Sequence, residues 1–189
     1  MSEITPLSRA KEIAKWIVTD KISLQPLRVE DITQNYVDWM NDGEIIQFTE
    51  QRFSQTTQED AKKFIHDMAN NAHSLYLGIF ASGQHIGSIK LGRINPHHKT
   101  ADISYIIGNK KYWGKGVASK AIEVMAEIGF AQLGLEKITA GVYETNAGSI
   151  RVLEKNGFIC EGRTRSQFIV NGQRVDGLIY GKLRPEQGR

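Results

Sequence analysis

The spacing of hydrophobic and polar positions changes period several times along the chain. Lys21 to Leu27 (KISLQPL) alternates like a strand, whereas Val29 to Asp42 puts Ile32, Tyr36 and Trp39 on one helical face. Thr56 and Glu59 stand at capping-box spacing and predict a helix from there to about Asn70. Three strand-like runs follow, Ser74 to Ala81, His85 to Ile94 and Thr100 to Gly108, separated by the turn signals Ser82-Gly83 and Asn95-Pro96. They predict an antiparallel meander. After Gly116 the period becomes helical, with Val117, Ala121, Val124, Met125 and Ile128 on one stripe until Gly134. Lys137 to Glu144 reads as a strand, so the helix before it is a crossover and the flanking strands are a parallel pair. A shorter helix over Asn146 to Gly157 and two closing strands, near Phe158 to Val170 and Arg174 to Leu183 with a turn at Asn171-Gly172, complete the chain. The pattern is α+β, a mixed sheet with helices on both sides. Residues 1–15 read as an N-terminal extension of uncertain order, and 16–189 as one domain.

Composition narrows the function. With 189 residues, 40% hydrophobic and 24% charged, the chain can bury one good core. No apolar run nears the roughly 20 residues that cross a bilayer, and the N-terminus has no signal-peptide core, which leads to the expectation of a cytoplasmic protein without a membrane partner. The single cysteine, Cys160, cannot form an internal disulfide; it is expected to be a small core residue, since no histidine is placed to activate it. A net charge of +3 is too mild for nucleic acid but suits a small polyanion. His97-His98 lacks a third ligand at sensible spacing, so no metal site is expected.

The candidate chemistry starts where Gly114 and Gly116 flank Lys115 directly ahead of a helix. A helix start offers unpaired N–H groups and a positive dipole end, and glycines let an anion approach them. A tight turn without a ligand would need the same glycines. The segment is neither a P-loop nor a dinucleotide-binding fingerprint.

Two segments read together decide between these. Trp113-Gly114-Lys115-Gly116-Val117-Ala118 resembles the Q/R-x-x-G-x-G/A signature of the GNAT superfamily of acetyl-CoA-dependent N-acetyltransferases, and Asn146, Ser149, Glu154, Lys155, Gly157 and Phe158 resemble its second signature. The last half of the chain is similar to the RimJ/RimL-type group, which includes acetyltransferases of ribosomal-protein N-termini and of small amines. The resemblance implies a GNAT-like, mostly antiparallel sheet of about seven strands, with acetyl-CoA as co-substrate. It implies CoA contacts from the backbone of Gly114, Lys115, Gly116, Val117 and Ala118, from the strand end Tyr105, Ile106, Ile107 and Gly108, and from Trp113, Asn146, Ser149 and Lys155. It also implies direct attack by a primary amine in a ternary complex. Asp102 stands where many members carry a catalytic Glu, with Glu144 in reserve as base. Leu153 replaces the Tyr that many members use to protonate the thiolate, which leaves Ser149 for that role. Trp113 departs from the usual Gln or Arg. Phe168 stands where ribosomal-protein acetylators often carry Glu, which counts against a ribosomal-protein substrate, and Tyr36 to Phe48 (YVDWMNDGEIIQF) resembles the small-molecule and sugar-nucleotide relatives, which implies a small acceptor such as an amino sugar or sugar nucleotide. An N-terminal protein acetyltransferase and a catalytically idle CoA-binding sensor are the alternatives. A monomer or homodimer is expected.

Overall fold

The computed structural model describes residues 5–13 and 15–186. Eight strands form one sheet in the order β1-β2-β3-β4-β5-β6-β8-β7: β1 Trp16–Thr19, β2 Ile22–Pro26, β3 Leu75–Ala81, β4 Gln84–Asn95, β5 Thr100–Ile107, β6 Lys137–Tyr143, β7 Ile159–Val170 and β8 Gln173–Leu183. All neighbours are antiparallel except β5 and β6. The helices are α1 Pro6–Glu12, α2 Gln34–Asn41, α3 Gly43–Ile46, α4 Gln58–Asn70, α5 Val117–Glu127 and α6 Ala147–Lys155.

The sheet is covered on both faces. One face carries Leu77, Ile79, Ile89 and Ile103 against Ala121, Ile122 and Met125 of α5 and Leu153 of α6. The other packs Leu27 and Phe80 against Tyr36, Val37 and Met40 of α2 and Ala61 and Ile65 of α4. The i, i+3, i+4 stripe of α5 is thus the wall of the larger core.

The structure departs from the sequence reading at several points. The sheet gains an eighth strand, β1, which pairs with β2. Within the expected N-terminal extension, α1 is capped by the Thr5 side chain and buries Ala10 to 1% exposure in the main core. The expected helix over 29–42 divides into a 3₁₀ turn at Val29–Asp31 and α2. Its predicted face is still inward, with Ile32 and Tyr36 buried and Trp39 packed against them. The capping box of α4 is Thr57 with Asp60, one residue beyond the predicted pair. The α5 stripe continues through a π-type turn, Ile128–Gln132, before Gly134 at φ +67 ends it. Cys160 is exposed, not in the core.

A cleft at the parting of two strands

The parallel pair β5–β6 is short. Only Thr100, Ala101 and Asp102 register with Lys137, Ile138 and Thr139. Beyond that point each strand keeps its outer partner, β4 or β8, but not its inner one. The sheet therefore opens into a V. A cleft of about 1560 Å³ occupies the opening and runs on past both of its ends. That exceeds a usual single-ligand site and leaves room for two substrates.

One end of the cleft is formed by the N-terminus of α5. Gly116 is the N-cap, left-handed at φ +76, and Gly114 is left-handed at φ +70. A Cβ at either position would meet nothing within 4 Å, so the space before the helix is open. That leaves the first amides of α5 exposed to an anion, and Gly114, Gly116, Val117 and Ala118 all line the cleft. Lys155 and Arg151 of α6 also line it and can complement negative charge. Lys115 is not among the lining residues; its Nζ lies 5.9 Å from the Tyr112 ring centroid. Trp113 lines the cleft and donates its indole N–H to the Ile107 carbonyl at 2.7 Å, pinning the loop to the end of β5. Tyr105, Ile106 and Ile107 line the opening. Gly108 instead backs onto Trp39, whose ring a Cβ there would strike.

The second wall comes from the first turn of α6. Asn146 caps the helix by accepting from the Ser149 N–H at 3.0 Å. The Ser149 hydroxyl meets the Tyr105 hydroxyl at 3.0 Å, across the opening. Burial raises the Tyr105 phenol above its ordinary pKa, partly offset by the Ser149 hydrogen bond, so it stays protonated. Leu153 is buried in the core and offers no proton.

The two carboxylates expected as base sit elsewhere. Asp102 is at the closed apex of the V, where it accepts from Thr139 Oγ1 at 2.5 Å and pairs with Arg93. A bulge in β4 places Arg93 at φ +48 beside it. Glu144 accepts from the Asp176 amide and pairs with Arg163, both at 2.8 Å, tying the end of β6 to the β7–β8 hairpin. Neither Asp102 nor Glu144 is among the lining residues, although Arg93 is.

The far end of the cleft carries groups that the sequence reading did not single out. Glu50, in a 3₁₀ turn at Glu50–Phe53, accepts from the Tyr143 hydroxyl at 2.8 Å. Arg52 donates to the same hydroxyl at 3.0 Å, to the Gln47 carbonyl at 2.8 Å and to the Ile169 carbonyl at 3.1 Å. Tyr143 stacks on Phe168 with centroids 3.9 Å apart. Burial, then the Glu50 carboxylate, raises the Tyr143 phenol. No local motif announces this cluster, because Glu50 and Tyr143 are 93 positions apart in sequence. The His97 and His98 amides donate to Asn95 Oδ1, and among the described residues no group of three or more metal-ligating side chains converges.

A parted β5–β6 pair beside a glycine-opened helix end makes a cleft that can accept an anionic group, and comparison with known proteins assigns the chain to a family. The chain matches the Acetyltransferase (GNAT) domain over residues 21–159 and belongs to that family. It is an acetyl-CoA-dependent N-acetyltransferase of this fold. The uncharacterized N-acetyltransferase p20 of Bacillus licheniformis is 26% identical over 174 residues, 90% of this chain and 97% of that protein. The spermidine N(1)-acetyltransferase of Escherichia coli K12 is 32% identical over 111 residues, 59% of this chain and 57% of that enzyme. Among solved structures, the RimL ribosomal L7/L12 alpha-N-protein acetyltransferase in complex with coenzyme A superposes with a TM-score of 0.81 at 17% identity, over 89% of this chain and 97% of that one. At that identity the likeness is one of fold.

Proposed function

We propose that this chain transfers the acetyl group of acetyl-CoA to a primary amine on a small molecule, by direct attack with both substrates in the cleft. The observation that carries the reading is a single opening with two chemically different ends. Main-chain amides before α5, with Lys155 beside them, suit the CoA phosphates. A carboxylate and aromatic rings at the other end suit an amine and its carrier. Ser149, between them, donates to the leaving sulfur. Asn146 fixes the backbone that presents Ser149.

Two observations favour direct attack on a small acceptor. The chain's one cysteine is exposed on β7 and does not line the cleft, so no thiol is placed to carry the acetyl group. Arg52 ties the Glu50–Phe53 turn to β7 at Ile169, so a side-chain bridge joins the elements that carry Glu50 and Phe168 at the acceptor end, which suits a small acceptor. The relative named as a spermidine acetyltransferase supports an amine of this size.

Amines are mostly ammonium at neutral pH, so a proton must be lost before attack. Asp102 is held by Arg93 and Thr139 at the apex, whereas Glu50 faces the acceptor end, and Glu50 is the carboxylate assigned to receive that proton. The test is release of CoA thiol from acetyl-CoA in the presence of polyamines, amino-sugar nucleotides, aminoglycosides and N-terminal peptides. Turnover with a small amine and none with the peptides is expected. Peptide turnover alone would overturn the acceptor class, and no turnover despite acetyl-CoA binding would leave a CoA-binding module.

A further inference from the structure

The hydroxyl pair Tyr105–Ser149 is explained neither by core packing nor by helix capping. Along β5, Ile103, Tyr105 and Ile107 point to the α5 side, while Ser104 and Ile106 point to the other. Tyr105 therefore leaves β5 toward the helices, just past the last β5–β6 pair at Asp102–Thr139, and its hydroxyl meets Ser149 beside the opening. Asn146 already satisfies the Ser149 amide, so the cap does not need the Ser149 hydroxyl. A Phe at 105 would pack equally well against Ile103 and Ile107. The phenol oxygen is the part of the residue that needs another explanation.

We infer that Tyr105 is a positioning residue for the leaving group: its hydroxyl donates to Ser149 Oγ and so turns the Ser149 proton toward the thioester sulfur. The inference rests on the proposed seat of acetyl-CoA in the V. During transfer the amine nitrogen forms its bond to the carbonyl carbon, the carbon–sulfur bond breaks, and its electron pair stays on sulfur. Ser149 donates a hydrogen bond to that developing charge. The proton lost by the amine leaves through the acceptor-side carboxylate, and sulfur takes up one proton to become the thiol. A free serine hydroxyl would spend part of its time donating to a carbonyl, as serines in a first helical turn do. With Tyr105 donating to its oxygen, Ser149 keeps its own proton for the cleft, and successive hydrogen bonds of this kind strengthen one another.

The experiment needs no acceptor. CoA is bound to wild type, to Tyr105→Phe and to Ser149→Ala, and the thiolate absorption is titrated as the difference from the complex with desulfo-CoA, which cancels tyrosinate. Donation to sulfur favours the thiolate, so the bound thiol should titrate lowest in wild type, higher in Tyr105→Phe and highest in Ser149→Ala. CoA affinity and melting temperature should stay near wild type in Tyr105→Phe, which loses one oxygen atom. In turnover, Ser149→Ala should lose about 10²-fold and Tyr105→Phe about tenfold, the size of one lost hydrogen bond. A bound thiol titrating identically in wild type and Tyr105→Phe overturns the inference while leaving the acetyl-CoA site intact. Failure of wild type to bind CoA overturns both.

Discussion

Glu50 and Asp102 are acidic residues with different surroundings, and replacing each carboxylate by the amide of the same shape separates their roles. Asp102 joins β4, β5 and β6 through Arg93 and Thr139. Replacement by Asn keeps the shape, weakens one hydrogen bond and removes an ion pair whose arginine side chain is 86% exposed, for a cost of about 1 kcal/mol in stability and little change in turnover. Glu50→Gln should instead lower turnover by about 10²-fold, with partial recovery at high pH where more amine is already neutral. Acetyl-CoA affinity should hold in both variants. The opposite ranking, with Asp102→Asn the slower enzyme and the one rescued by high pH, would return the base to Asp102. The sequence made Asp102 visible because its neighbours on β5 resemble a familiar segment. Glu50 was hidden because its meaning depends on Tyr143, far along the chain. Cys160 shows the same limit: a small apolar-leaning residue after buried Phe158 reads as core, yet β7 is the sheet's edge strand and pairs only with β8.

Elements were legible in proportion to how local their causes are. The glycines ahead of α5 act through their own backbone, and the structure gives both a positive φ at the mouth of the cleft. Gly116→Asp should therefore abolish acetyl-CoA binding by putting bulk and negative charge where the phosphates sit. The left-handed conformation should add a loss of about 1 kcal/mol in stability. Calorimetric titration showing wild-type affinity in this variant would reduce the glycines to a turn. In contrast, α1 takes its order from a distant partner, the main core that buries Ala10, which no periodicity in residues 1–15 announces; β1 is held locally, as a hairpin with β2. The docking of α2 on the sheet has an equally nonlocal device. His85 of β4 stacks on Tyr36 at 5.8 Å, meets the edge of Trp39 at 5.4 Å, and its Nε2 donates to the Gly87 carbonyl at 2.8 Å. Burial pulls its pKa from 6.5 down to about 4, against smaller opposing effects of the Gly87 hydrogen bond and of Asp31. The unfolded chain then binds a proton that the folded one refuses, so stability falls as pH drops from about 6.5 through about 4, by roughly 3 kcal/mol at full extent. His85→Phe should flatten that window. Melting temperatures of the two proteins that keep a constant difference between pH 7 and 4 would rule this out.

At the scale of the whole molecule, the sheet is two blocks held edge to edge by a three-residue ladder, β1–β5 on one side and β6, β8 and β7 on the other. Helices α5 and α6 cover the seam on one face. A ligand seated in the V touches both blocks, so its binding free energy is coupled to their association. At 100 times its dissociation constant a ligand that binds only the folded state adds about 2.7 kcal/mol. For a chain of this size that raises the melting temperature by roughly 5 to 10 °C. The location of the effect is more diagnostic than its size. From Ile103 to Ile107 and from Ala140 to Tyr143 the two strands no longer pair with each other, so the amides that face the gap lack a sheet partner. An extended amide-bearing arm laid in the gap can accept from or donate to them as an added strand would. Acetyl-CoA should therefore slow hydrogen exchange at both strand ends and at Val117 to Lys120, the first turn of α5. The β7–β8 hairpin beyond Phe168 should exchange as before. Protection confined to α5, with no change at either strand end, would mean that the phosphates bind and the arm lies outside the V. The placement of Tyr105 and Ser149 beside the reacting sulfur would then fall with it.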